Sequence, residues 1–130
     1  MNAKTTTARF NAPANKVFAF LSEVENLGRW ATGYCKELKK EGDDYKVVTP
    51  GGEVYFRIDA CTETGIVDMY SGPTKDAMFR FPGRVTDDNN GGSVFAFTAI
   101  QMQDQEDAIF AEQCKELEKE FENIRKIVEA

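Results

Sequence analysis

Near the C-terminus, Phe110, Cys114, Leu117, Phe121, Ile124 and Val128 follow one another at alternating steps of four and three. That spacing sets all six on one side of a helix, with Glu112, Glu116, Lys119, Glu120 and Arg125 mostly on the other. Asp104 is a good N-cap, Glu106 and Asp107 follow in the first turn, and Arg125 and Lys126 stand near the end. Each charge suits the end of the helix dipole beside it. No Gly or Pro interrupts residues 104–130, so the spacing predicts a helix of about 26 residues and about 39 Å. A helix that long cannot bury its stripe alone. The chain before it must supply the other half of the core.

That preceding chain reads as strands. Thr6, Ala8 and Phe10 alternate in a first strand over residues 4–10. Asn11-Ala12-Pro13 breaks it, and Pro13 opens a short helix carrying Val17, Phe18, Phe20 and Leu21. Ser22 can cap a second short helix that ends near Trp30, with Glu25 three residues on. From Gly33 onward, turn signals at 41–44, 50–52, 64–65, 71–73 and 87–92 separate six candidate strands. These are residues 34–40, 45–49, 53–61, 66–71, 77–85 and 93–102. The third alternates most clearly, with Val54, Phe56, Ile58 and Ala60 on one face and Glu53, Tyr55, Arg57 and Asp59 on the other. Pro82-Gly83 predicts a bulge or bend within the fifth. The expected architecture is α+β: a curved seven-stranded antiparallel sheet wrapped around the long terminal helix, all within one domain over residues 1–130.

The order of elements resembles the helix-grip fold of the START-related, pollen-allergen-like and polyketide cyclase superfamily. The residues that carry the likeness are Pro13-Ala14-Asn15-Lys16-Val17-Phe18-Ala19-Phe20-Leu21, followed by Glu25-Asn26-Leu27-Gly28-Arg29-Trp30. In that superfamily a Pro-Ala step starts the first short helix and a Trp closes the second. The resemblance implies a cavity between the long helix and the sheet that holds a lipophilic small molecule.

Residues of this chain can be set around such a cavity. Phe110, Cys114 and Leu117 would face it from the helix; Phe56, Met69, Phe79 and Phe95 are candidate walls from the strands; Trp30 and Tyr34 belong at its mouth. Aromatic and apolar walls suit a flat hydrophobic ligand. The same side chains could instead fill one another's space, as core aromatics do. The last strand is apolar on both faces, so Val94, Ala96, Ile100 and Met102 compete with Phe95 and Phe97 for the interior. Arg57, Asp68 and Arg80 could meet as a polar constellation, but alternation with Phe56 and Phe79 turns both arginines outward, into a cross-strand charge ladder. Tyr55 and Tyr70 carry the same ambiguity.

Composition removes several function classes. The chain has no His, which takes away the commonest general base, the Ser-His and Cys-His arrangements and the usual zinc sets. No metal, nucleotide or other cofactor is expected. Formal charge is −6, a poor match to a nucleic-acid backbone or an anionic membrane. The start of the chain is polar and lacks the apolar core of a signal sequence. No apolar run reaches the ~20 residues of a membrane span. Cys35, Cys61 and Cys114 are odd in number and far apart, which reads as reduced thiols of a cytoplasmic protein. Asp87-Asp88-Asn89-Asn90-Gly91-Gly92 opens like a calcium loop, but Thr98 stands where the closing Glu belongs, so it reads as a hairpin turn. The function expected is non-covalent binding of a small hydrophobic molecule. A cyclase- or dehydrase-like enzyme in the same cavity and a chaperone co-regulator-like interaction module, or homodimer, are the alternatives.

Overall fold

The computed structural model describes residues 1–130. Its elements are β1 (Ala3–Phe10), α1 (Ala14–Ser22), a 3-10 turn (Val24–Asn26), α2 (Leu27–Trp30), β2 (Glu37–Glu41), β3 (Asp44–Thr49), β4 (Gly52–Cys61), β5 (Ile66–Gly72), β6 (Phe79–Phe81), β7 (Gly83–Asp87), β8 (Ser93–Ile100) and α3 (Asp107–Val128). All strand pairs are antiparallel. The sheet runs β1-β8-β7-β5-β4-β3-β2, with β6 pairing β5 off that path.

Eight strands stand where seven were expected, because Pro82 breaks the candidate strand at 77–85 into β6 and β7. Proline donates no ladder hydrogen bond, and Gly83 lets the chain pass close to β5: a Cβ there would lie 2.4 Å from the Val67 carbonyl oxygen. Three other boundaries differ from expectation. Tyr34 and Cys35 belong not to a strand but to a tight turn after α2, where both amides donate to the Ala31 carbonyl. Ser22 ends α1 instead of capping a new helix; its hydroxyl donates to the Phe18 carbonyl one turn back. Asp104 does not cap α3, which starts at Asp107 after an extended Glu106. Residues 102–106 are held instead by glutamines: Gln101 Nε2 donates to the Gln105 carbonyl and to Asp107, and the Met102 amide donates to Gln105 Oε1. At 22 residues, α3 is about 33 Å long.

Register settles which side of each strand faces α3. The pairs Phe10–Ser93, Ala8–Phe95, Thr6–Phe97, Val85–Phe95, Ile58–Met69 and Phe56–Ser71 share the concave face. The last strand therefore turns Phe95 and Phe97 inward, and Val94, Ala96 and Ile100 outward. α1 lies across β4, β5, β7 and β8, while α3 runs beside β1 and meets α1 and α2. Phe10, Val17, Leu21, Leu27, Trp30, Val67, Phe95, Phe121 and Ile124 make one continuous apolar core beneath them.

Candidate functional site

The concave face is sealed at one end and open at the other. Under α1 and the second half of α3, Phe10, Val67, Val85 and Phe95 are buried. Phe95 (0% exposed) meets Phe121 (2%) at a ring-centroid distance of 5.2 Å, so helix and sheet touch there directly. At the opposite end lies the start of α3. There the inward positions Val54, Ser71 and Phe81 are only half-buried, and Phe79 is 51% exposed. Tyr34 borders this end, its ring 6.3 Å from Phe56, and its phenol reaches toward Ser71. Burial pushes the Tyr34 phenol above its ordinary pKa, with the Ser71 hydroxyl pulling the other way. From α3, Phe110 and Cys114 are buried but stand outside the continuous core, and Leu117 is half-buried against it. The open end thus presents an aromatic and aliphatic surface with one tyrosine–serine pair at its rim.

Of the residues expected to line a cavity, Tyr34, Phe56, Met69 and Phe79 lie on or beside this surface, Phe56 and Met69 as buried core members; Phe110, Cys114 and Leu117 lie on α3, whose neighbours are β1, α1 and α2. Trp30 and Phe95 do not. Asn123 Nδ2 donates to the Trp30 carbonyl and ties α2 to α3. That contact leaves the indole inside the core, 6.4 Å from Phe121, and not at a mouth. Arg57, Asp68 and Arg80 lie on the convex face: Arg57 pairs with Asp59 at 3.0 Å and stacks 4.1 Å over Tyr70, and Arg80 stands 4.0 Å from Asp68. They form the outward ladder.

One polar group within the fold was expected on the solvent side of α3. Glu120 is 3% exposed. Its Oε2 accepts the amide hydrogens of Gly33 at 3.0 Å and Tyr34 at 3.1 Å. Burial pushes its pKa up to about 7; the two amide donors hold it back, and the Glu116 carboxylate adds to the rise. Amphipathic spacing could not find it, because position 120 lies on the flank of the stripe next to Phe121. The only trace in the sequence is Gly33 itself. A Cβ at that position would come within 2.8 Å of Glu116 Oε2 and 3.4 Å of Glu120 Oε2.

A concavity of about 490 Å³ runs between β1 and the outer flank of α3. Lys4, Arg9, Glu118, Glu122 and Arg125 line it beside three threonines, with only Ala8 and Phe121 apolar. Its charges are already engaged, Lys4 with Glu118, Arg9 with Asp88, and Arg125 with Glu122 and Glu129. It lies between the helix and the edge strand of the sheet, but its lining lacks the apolar chemistry expected of a lipophilic site.

No family model matches the sequence, and no curated protein matches it either. Solved structures do. The chain is similar to the protein XoxI from Bacillus cereus, with a TM-score of 0.75 and 11% identity over 98% of this chain and 96% of that one. It is similar to the Aha1 dimer from Colwellia psychrerythraea, with a TM-score of 0.72 and 12% identity over 98% and 96% of the two chains. A truncated norcoclaurine synthase from Thalictrum flavum gives 0.68 and 14% identity over 98% of this chain and 92% of that one. This is the helix-grip fold. No helix of this chain is long and apolar enough to cross a membrane.

Proposed function

We propose that the chain binds a small hydrophobic molecule non-covalently between the first half of α3 and the open end of the sheet. The observation that carries this reading is the contrast between the two ends of one concave face. Phe95 and Phe121 close the far end, whereas Phe79, Phe81 and Val54 point inward by register and still reach solvent. Apolar surface of this kind is stabilised when a ligand covers it, by about 25 cal/mol per Å². Tyr34 and Ser71 offer hydrogen-bonding hydroxyls at the rim, enough to orient one polar group of the ligand.

A second reading, acid–base catalysis on the bound molecule, is favoured by Glu120, a buried carboxyl poised near neutrality beside Tyr34. Norcoclaurine synthase, an enzyme by its name, shares the fold.

Native mass spectrometry of the protein as purified tests binding. An adduct of a few hundred daltons, or uptake of an aromatic fluorophore that Phe79→Glu abolishes, is the expected result. A bare protein that takes up no fluorophore contradicts the reading, and the same spectrum reports whether the chain pairs with a second copy.

A further inference from the structure

Glu120 is the only carboxyl or basic side chain among the buried residues of the chain. It does not pair with a cation. It closes on the backbone of the turn at 31–36, through the successive amides of Gly33 and Tyr34. The groups around it are few. Glu116 stands one turn earlier on α3 and is bridged to Lys119 at 3.6 Å. From the turn come the Tyr34 phenol and the Cys35 thiol, both pushed up by burial, and Lys36. Lys36 directs its ammonium to the Thr32 carbonyl at 3.1 Å. The only charge on α2, Arg29, turns away to Asn26 and the Phe20 ring. No neighbour therefore neutralises a carboxylate at position 120 by direct contact.

We propose that Glu120 is a proton-operated latch: the turn at 31–36 lies closed against α3 while this carboxyl is protonated, and lifts from it as the carboxylate forms and draws in water. A protonated carboxyl still accepts both amide hydrogens through its carbonyl oxygen, so the closed geometry needs no charge. An ionised carboxyl at the same place is only 3% exposed and touches no counter-ion, and parting the turn from the helix gives it fuller hydration. Gly33 supplies the hinge. A Cβ there would press on the Glu116 carboxyl at 2.8 Å and touch Glu120 Oε2 at 3.4 Å, and glycine leaves the backbone free to rotate. Two attachments limit the excursion: the Lys36 amide bonds the Val48 carbonyl, and Asn123 bonds the Trp30 carbonyl and the Thr32 hydroxyl. Tyr34 rides on the moving segment and faces Phe56, so opening uncovers the edge of the apolar surface. That consequence rests on the proposed ligand site; the latch does not.

Amide hydrogen exchange tests it on the full chain. Protection factors, which divide out the intrinsic pH dependence of exchange, should fall at Gly33 and Tyr34 by roughly thirtyfold between pH 5.5 and 8. That figure follows from a carboxyl that titrates near 4.5 when open and about 7 when closed. Glu120→Gln keeps an acceptor and cannot ionise, so its protection at these two amides should not change with pH. Should that variant fail to fold, the wild type alone decides, by a pH-dependent loss of protection at Gly33 and Tyr34 while core amides such as Phe95 keep theirs. Constant protection at Gly33 and Tyr34 overturns the latch. So does an unaltered pH response in Glu120→Gln, or an equal loss at core amides such as Phe95, which would mean global unfolding. Opening without any ligand uptake sinks the binding function alone; uptake without opening sinks the latch alone.

Discussion

The ring of Phe121 on α3 lies 5.2 Å from that of Phe95 on β8, with an interplanar angle of 42°. This contact is where the gripped helix and the sheet are fastened. About two and three turns toward the N-terminus, the same stripe of α3 leaves the continuous core at Cys114 and Phe110. Phe110 and Cys114 are still buried, so the first half of α3 is covered without joining the core that Phe121 anchors.

Phe121→Ala should therefore cost about 3–5 kcal/mol, the usual range for truncating a fully buried aromatic. Phe110→Ala should cost less and weaken uptake of a hydrophobic fluorophore. Denaturant titration of both variants beside a binding isotherm checks the division. Equal losses of binding after correction for unfolding would refute it.

Phe79→Ala should leave stability within about 0.5 kcal/mol, because the side chain is half exposed and outside the core. Its affinity for the same fluorophore should fall several-fold. Thermal melts and fluorescence titration read the two effects separately.

Gly83→Ala should destabilise by more than about 2 kcal/mol, since the new Cβ would meet backbone, the Val67 carbonyl oxygen, at 2.4 Å. The clash can be relieved only by parting β7 from β5. Circular dichroism during urea unfolding measures the loss, and a neutral result would show that the strands are not packed this closely.

The pH dependence of stability follows from Glu120, whose folded pKa lies above its unfolded value. Its contribution is fully present below pH 4.5 and is lost as pH rises to about 7, by up to about 3 kcal/mol. Glu53 and Asp88, lowered by the Lys39 hydrogen bond and by the Asn90 amide, oppose this from the surface. The difference between wild type and Glu120→Gln isolates the buried group. That difference should grow in favour of the variant from pH 4.5 to 7 and then level off.

Much of this fold was legible because hydrophobic period and turn chemistry agreed. The stripe from Phe110 to Val128 named the gripped helix, and Pro82-Gly83 marked a break that proved complete enough to make two strands. The face of the last strand was not legible, since both sides are apolar; pairing with β1 decided it. The site was only half legible. Alternation placed Phe56 and Met69 inward, yet spacing cannot say which inward residues are covered. Trp30 went to the core because Asn123, nearly a hundred residues away, holds α2 down. Glu120 was hidden for the opposite reason. A carboxylate on a helix flank reads as solvated unless the turn that closes on it is known in three dimensions.

The measurement that tests the central claim most directly is residue-resolved NMR of the labelled protein on addition of 8-anilinonaphthalene-1-sulfonate. Shifts confined to Val54, Ser71, Phe79, Phe81, Tyr34 and the first half of α3 are predicted. Shifts that map to the cleft between β1 and α3, or no shifts at concentrations that saturate the dye's fluorescence, would contradict the claim that the open end of the grip is a ligand site.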